Sequence, residues 1–298
     1  MAKKVFVVGS VNMDLVISSE RLPLIGETIH GKDFFTNPGG KGANQAVAAR
    51  KLGADVRFCT CVGEDDFGTI LTDVLKGYGV DTRYVKRVEG PSGCAVITVV
   101  NGDNCIILGA GSNAKLDDKK VDECLEEAEA GDIMLIQLEI NHQTVLHALK
   151  MAKEKGMITV LNPAPAQGLK KEFLDYTDIL IPNETEAVAL GGKENLQDSV
   201  EELCKKVDTV IVTVGSKGSI YCHKNERVNY ACPKVKAVDT TAAGDTFCGA
   251  LCARLSMGYS IDEAIKFAHQ AASLTVTKKG AQQSIPYEKD VLNAISDK

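Results

Sequence analysis

The octet Asp239-Thr-Thr-Ala-Ala-Gly-Asp245-Thr246 carries the most chemistry in this sequence. Phe247, Ala250, Leu251 and Leu255 follow it at helical spacing, so Gly244 and Asp245 fall in the first turn of a helix whose unpaired N–H groups point back into the preceding loop. The small residues Ala242, Ala243 and Gly244 let an anion approach those donors, an arrangement that stabilises charge developing on a transferred phosphoryl group. Asp245 has two readings. It can take the proton of an attacking alcohol as general base, or it can cap the helix, a position where Asp is favoured.

Two further clusters are rich in polar groups. Asn37-Pro-Gly39-Gly40-Lys41-Gly42-Ala43-Asn44 opens a helix that continues through Ala46, Val47, Ala48 and Leu52. Its glycine amides and its lysine suit a polyol or a phosphate, and equally a tight joint without ligand contact. Gly9-Ser-Val-Asn12-Met13-Asp14 stands at the carboxyl end of the first strand, where Asn12 and Asp14 share a face and offer acceptors and donors to adjacent hydroxyls, unless they belong to an ordinary turn. Two glycine-rich segments carry no such chemistry. Residues 26–33 miss a P-loop because Asp33 replaces the hydroxyl residue and Pro38 forbids the helix that must follow. Residues 109–114 fit a dinucleotide fingerprint in letters only, since they follow a hairpin rather than the first strand of a βαβ unit.

Short β-branched runs alternating with helical patterns must position these clusters. Strands are expected at 5–9, 56–62, 133–138, 158–161, 179–181 and 209–214, with helices at 41–52, 66–77, 117–129, 142–155, 184–191 and 197–206. That alternation predicts an α/β three-layer sandwich around a mostly parallel sheet. Residues 11–38 and 94–108 break it: both lack helical periodicity, and Asn101-Gly102 marks a hairpin turn. They are expected to form a small inserted β-sheet that acts as a lid, jointed at Gly39-Gly40 and Gly109 to Gly111. The division is then a catalytic core of residues 1–10, 41–88 and 113–298, and a lid of 11–40 and 89–112.

Composition narrows the function. In 298 residues, 34 Lys and Arg face 40 Asp and Glu, a net charge of −6 that gives long polyanions no general attraction, so no nucleic-acid partner is expected. With 44% hydrophobic and 25% charged residues the chain is a packed globular protein. No apolar run is long enough to span a membrane, and MAKKVFVVG lacks the apolar stretch of a secretory signal. The ten cysteines show no C-x-x-C pair, which predicts a cytoplasmic, reduced protein with cysteines as buried small hydrophobes.

Taken together, Gly39 to Arg50 (GGKGANQAVAAR) and Asp239 to Phe247 (DTTAAGDTF) resemble the two motifs of the PfkB family of carbohydrate kinases, the ribokinase type. Asn183-Glu-Thr-Glu186 is similar to its N-x-x-E motif and Leu161-Asn-Pro-Ala-Pro165 to another of its segments, and the likeness runs to Lys279-Gly280-Ala281-Gln-Gln-Ser284. The resemblance implies that Asp245 is the base and that Ala242, Ala243 and Gly244 supply the anion hole. It implies that Asn12, Met13, Asp14, Gly40, Lys41, Gly42, Ala43, Asn44 and Glu139 surround the sugar. Asn183 and Glu186 would place Mg²⁺ and phosphates through water, Thr213-Val214-Gly215-Ser216-Lys217-Gly218 would form the nucleotide loop, and His269 would lie beside the adenine. A potassium ion would be held, mostly by main-chain carbonyls, at Asp239, Thr241, Thr275, Lys278, Gly280 and Ser284. Thr241 and Ala242 depart from the branched aliphatic residue and the glycine common at those positions, which carbonyl ligation tolerates.

The expected reaction is transfer of the γ-phosphoryl of ATP to the 5-hydroxyl of D-ribose. The alternatives are a relative acting on deoxyribose, fructose or a nucleoside, and a sugar-sensing module that kept the fold without catalysis. A homodimer paired through the lids is also expected, since exposed lid strands need a covering partner.

Overall fold

Every side chain from Val5 to Val8 is buried, with Val5 and Val7 in one apolar cluster and Phe6 and Val8 in another. A strand with no polar face must be covered on both sides. This strand, β1 (Lys4–Val8), lies inside a nine-stranded sheet. The computed structural model describes residues 2–296 apart from 167, 169 and 225.

The chain continues through β2 (Asn12–Ser19), β3 (Lys32–Gly39), α1 (Lys41–Lys51), β4 (Asp55–Gly63), α2 (Asp66–Gly77), β5 (Val85–Val88), β6 (Gly93–Val100) and β7 (Asp103–Gly109). Then come α3 (Asp118–Leu125), β8 (Ile133–Ile136), α4 (His142–Glu154), β9 (Ile158–Leu161), β10 (Ile179–Leu180), α5 (Glu184–Gly191) and α6 (Leu196–Cys204). The last elements are β11 (Thr209–Thr213), β12 (Ser219–His223), β13 (Glu226–Tyr230), α7 (Ala243–Ser256), α8 (Ile261–Thr275) and α9 (Glu288–Ser296).

The large sheet has the order β13-β12-β11-β10-β9-β8-β1-β4-β5 and is parallel except for the antiparallel pairs β11–β12 and β12–β13. Buried residues of α1, α2, α7 and α8 pack with one face, those of α3 to α6 with the other, giving the expected three layers. Strand order runs outward in both directions from β1, and the carboxyl ends of strands at such a switch point form a natural ligand crevice.

The second, four-stranded sheet has the order β3-β2-β6-β7. Its hairpin turns at Asn101 and Gly102, whose φ values of 52° and 88° are those of a type I′ turn joining the paired Val100 and Asp103. Phe34, Phe35, Ile106, Ile107 and Leu108 of this sheet are exposed. So is Cys105, on the edge strand β7, while Cys94, Cys204 and Cys232 are half-buried. The expectation that the cysteines are uniformly buried therefore fails in the small sheet (Cys94, Cys105), at the end of α6 (Cys204) and after β13 (Cys232); the six at 59, 61, 124, 222, 248 and 252 are buried. Among the described residues, no helix is long and apolar enough to cross a membrane.

Candidate active site

Helices α1 and α7 approach closely because small residues face each other. A Cβ at Gly249 would stand 2.6 Å from both the Ala48 methyl and the Gln45 carbonyl oxygen. This contact brings the first turn of α7 against the start of α1, and Asp245 meets two amides there. Asn44 Nδ2 donates to Asp245 Oδ2 at 2.9 Å and Gln45 Nε2 donates to Asp245 Oδ1 at 2.9 Å. Asn44 Oδ1 is buried without a hydrogen-bond partner among the described residues, an acceptor suited to a ligand hydroxyl.

Carboxylates dominate the lid side. Burial, with the nearby charges of Glu139 and Asp245, pushes the Asp14 carboxyl up to about 7, against the attraction of Lys41. Burial pulls the Lys41 ammonium down, but Asp245, Glu139 and Glu186 outweigh it and leave it above its ordinary value. Glu139 Oε2 accepts from the Ser10 hydroxyl at 2.6 Å and from the Lys41 N–H at 3.1 Å, which fixes it across the start of α1. Asn12 Oδ1 accepts from Asn113 Nδ2 at 2.7 Å, and both residues line a cavity of about 370 Å³ with Glu139 and the lid residues Leu108 and Gly109. Met13 and Ala43 are buried in the apolar core instead; the Ala43 N–H donates to the Ser10 carbonyl at 2.9 Å and the Gly42 N–H to the Ser10 hydroxyl at 3.4 Å. Gly40 caps α1 with φ 91°.

At the start of α7, Ala242 occupies the left-handed region with φ 59°, costly for a residue with a Cβ. Its carbonyl accepts the Thr246 N–H at 2.8 Å, and the Ala243 N–H donates to the Thr240 carbonyl at 3.2 Å. The Gly244 and Asp245 N–H groups have no partner among the described residues. A Cβ on Gly244 would touch no protein atom within 4 Å, so the missing side chain leaves open space over those donors. That fits an incoming phosphoryl group.

Two cavities meet at this point. One, of about 230 Å³, is lined by Lys41, Asn162, Asn183, Glu186, Asp245 and Cys248 together with Thr213, Thr240, Ala243 and Gly244. The other, of about 500 Å³ and largely apolar, shares those last four and extends past Gly215, Ser216, Gly218, Phe247 and His269. Val214 and Lys217 do not line it: the Val214 N–H donates to the Gly218 carbonyl at 2.8 Å and the Lys217 N–H to the Val214 carbonyl at 3.2 Å, closing the loop on itself. His269 Nε2 lies 2.8 Å from the Ser219 hydroxyl, and burial pulls the imidazole down to about 4, so it is neutral. Burial holds the Cys248 thiol well above its ordinary value, which leaves it protonated.

Asn183 and Glu186 form a capping box on α5: Asn183 Oδ1 accepts the Glu186 N–H at 2.8 Å and Glu186 Oε2 accepts the Asn183 N–H at 2.9 Å. Burial raises the Glu186 carboxyl in spite of that N–H and of Lys41. No group of three His, Cys, Asp or Glu among the described residues is arranged to hold a metal. A divalent ion here would be held chiefly by phosphate oxygens and water, with Glu186 as an outer carboxylate, the usual habit of Mg²⁺.

The positions expected to hold a monovalent ion lie on two adjoining loops. The Val238 and Asp239 N–H groups both donate to the Val276 carbonyl, at 2.7 Å and 3.2 Å, and Asp239 Oδ2 accepts the Gly280 N–H at 2.9 Å. Burial raises the Asp239 carboxyl, but the hydroxyl and N–H of Thr241 and the Gly280 N–H outweigh it and hold it below the usual range. Thr275 and Ser284 are buried, and Lys278 is exposed, with its N–H on the Thr275 carbonyl at 3.1 Å. This oxygen-rich, loop-borne donor set suits a hard cation.

Four residues of the site carry no role in the sequence analysis. Gln45, Gln137 and Asn162 join Asp245 in one hydrogen-bonded chain, and Asn113 positions Asn12. Gln45 and Asn162 lie within recognisable motifs, but an amide in a motif gives no sign of the carboxylate it faces.

A family model described as pfkB family carbohydrate kinase matches residues 2–288. The ribokinase of Haemophilus influenzae is 41% identical over 300 residues, covering 98% of each chain. The structure of the Thermotoga maritima ribokinase superposes with a TM-score of 0.91 at 39% identity, covering 99% of each chain. That of the Arabidopsis thaliana ribokinase complexed with ribose and ATP superposes with a TM-score of 0.89 at 38% identity, covering 98% of each. With the family model matching residues 2–288 and relatives alike in sequence and fold over nearly the whole length, this chain belongs to the pfkB family of carbohydrate kinases.

Proposed function

We propose that this enzyme transfers the γ-phosphoryl group of ATP to the 5-hydroxyl of D-ribose, giving D-ribose 5-phosphate and ADP. One observation carries the reading: Asp245 stands where the polar cavity of Lys41 and Glu186 meets the larger groove beside His269, with Gly244 lining both. A similar ribokinase complexed with ribose and ATP supports the pair of substrates.

In this mechanism the sugar lies under the small sheet, with Asp14, Asn12 and Glu139 accepting or bridging its ring hydroxyls and Asn44 Oδ1 taking one more. Asp245 takes the proton of the 5-hydroxyl as the oxygen attacks the γ-phosphorus, and the bond to the ADP oxygen breaks. The Gly244 and Asp245 N–H groups stabilise the charge on the phosphoryl oxygens. The adenine occupies the apolar groove beside neutral His269. Mg²⁺ bound to the phosphates supplies charge neutralisation, and a potassium ion at the 239–241 and 275–284 loops would order the start of α7.

The division into a core and a lid at 11–40 and 89–112 belongs to the same reading, with the lid closing over the sugar and excluding water. The exposed Phe34, Phe35, Ile106 and Ile107 favour pairing of two lids in a homodimer, and the buried thiols suit a reducing cytoplasm. Ile107→Lys should shift a dimer to monomer in light scattering; a monomeric unmodified protein overturns the pairing. The decisive test is coupled ADP release over a panel of sugars with and without K⁺. Ribose should be turned over with the highest kcat/KM; preference for deoxyribose, fructose or a nucleoside, or sugar binding without ADP, overturns the reading.

A further inference from the structure

The amide of Gln45 is fully committed. Nε2 donates one hydrogen to Asp245 Oδ1 and the other to Asn162 Oδ1, both at 2.9 Å, while Oε1 accepts from Gln137 Nε2 at 2.6 Å. Asn162 Nδ2 is in turn tied to the Ile181 carbonyl at 2.8 Å, so its oxygen must face Gln45. Flipping the Gln45 amide would set its oxygen against two acceptors and its NH₂ against a donor. The orientation is therefore fixed by its partners. Gln45 and Gln137 are wholly buried and hang from different elements, α1 and the segment after β8, while Asn162 follows β9.

We propose that Gln45 is a positioning residue for the transfer step: held by Gln137 and Asn162, it pins Oδ1 of Asp245, fixes the plane of the carboxylate and leaves Oδ2 as the atom that receives the sugar proton. Oδ2 accepts only from Asn44 among the described residues, which leaves it a second lone pair. Asp245 lies among the charged and titratable groups of Asp14, Glu186, Lys41 and Cys248, which come from β2, α5, α1 and α7 itself. With so many charges around it, an untethered carboxylate would turn toward Lys41, and a base misplaced by about 1 Å loses much of its effect. The inference rests on the kinase reading above and concerns only how its base is held.

The test compares Gln45→Met and Gln45→Glu with the unmodified enzyme by steady-state kinetics, by calorimetric sugar binding and by thermal melting. Gln45→Met keeps the volume and removes the donors. It should lower kcat about 10- to 100-fold while sugar KM and sugar affinity move less than about threefold. Gln45→Glu sets a second carboxyl against Asp245, so the pair must share a proton. Its kcat should fall away on the acid side at a pH at least about one unit above that of the unmodified enzyme. A kcat within twofold for Gln45→Met, or a loss of kcat matched by equal loss of sugar affinity, overturns the proposal. If Gln45→Met fails to fold, an unshifted pH profile for Gln45→Glu overturns it by itself. Should the unmodified enzyme prefer another sugar, the ribose reading falls, and the same comparison made on that sugar still decides the role of Gln45.

Discussion

Asn183 and Glu186 satisfy each other across the first turn of α5, each side chain accepting the other's backbone N–H, at 2.8 Å and 2.9 Å. The motif is thus a helix cap as well as a carboxyl lining the cavity of Lys41 and Asp245, and the two roles separate by substitution. Glu186→Gln keeps an acceptor at the capping position and should leave the melting temperature nearly unchanged, while Mg²⁺ titration of activity should require several-fold more metal. Glu186→Ala should also lose the carboxylate half of the capping box, at about 1 kcal/mol, while the bond to Asn183 Oδ1 stays. Equal melting temperatures for the two variants would show that the side-chain bond from residue 186 to the Asn183 N–H contributes nothing.

Asp245→Asn should lower kcat by about two to four orders of magnitude with little change in sugar affinity. The new amide cannot accept from both Asn44 and Gln45, since one of them would meet its NH₂ group. A loss of about 1 kcal/mol in unfolding free energy should accompany the change, measured in denaturant. Near-normal turnover would remove Asp245 from the base role.

Asp14 titrates near pH 7 in the unliganded protein, well above its unfolded value, because burial and two neighbouring carboxylates penalise its charge. Its raised value makes the folded state hold a proton that the unfolded chain releases, so the contribution is fully present below about pH 4 and is lost as pH rises through about 7. Asp14→Asn should therefore raise the melting temperature, and by more at pH 8 than at pH 5. The ionised carboxylate is the better hydroxyl acceptor, so sugar KM should rise as pH falls below 7, and the asparagine variant should lose that dependence. A pH-independent gain in melting temperature would contradict the assignment.

Ala242 bears the left-handed turn that sets the start of α7. Ala242→Gly should relieve that conformation and partly offset the relief through the entropy of the unfolded chain, leaving stability within about 1 kcal/mol of the original. Ala242→Val places a branched side chain at φ 59°, and should lower stability by about 2 kcal/mol and kcat more than tenfold as the Gly244 amide moves. A valine variant with normal kcat would show that the phosphoryl site does not depend on this turn.

Much of this protein is legible in its sequence. Hydrophobic periodicity marks α2 at the bounds observed, the alternation of strands and helices places α5 at its observed bounds, and Asn101-Gly102 specifies its own hairpin because both residues accept positive φ. The helix start at Asp245 is equally local, since capping and small residues act within one turn. By contrast, β5 and β13 lie at the sheet edges with no fully buried face to impose a pattern, and β12, though partly buried, is a five-residue strand with polar Ser219 and His223 at its ends, so no sequence pattern marks these three. The exposure of Cys105 escaped for the same reason.

The sequence by itself determined most of the elements, the family motifs and the identity of the carboxylates, because these follow from nearest-neighbour chemistry. Tertiary structure alone decided which groups face one another. Gly249 lets α7 lie on α1, and only then do Asn44 and Gln45 reach Asp245 about two hundred positions away. Likewise Asp14 of β2 acquires its proton affinity from burial beside Glu139 and Asp245, neighbours drawn from the segment after β8 and from α7. Such encounters depend on the packing of distant segments, and no local spacing encodes them.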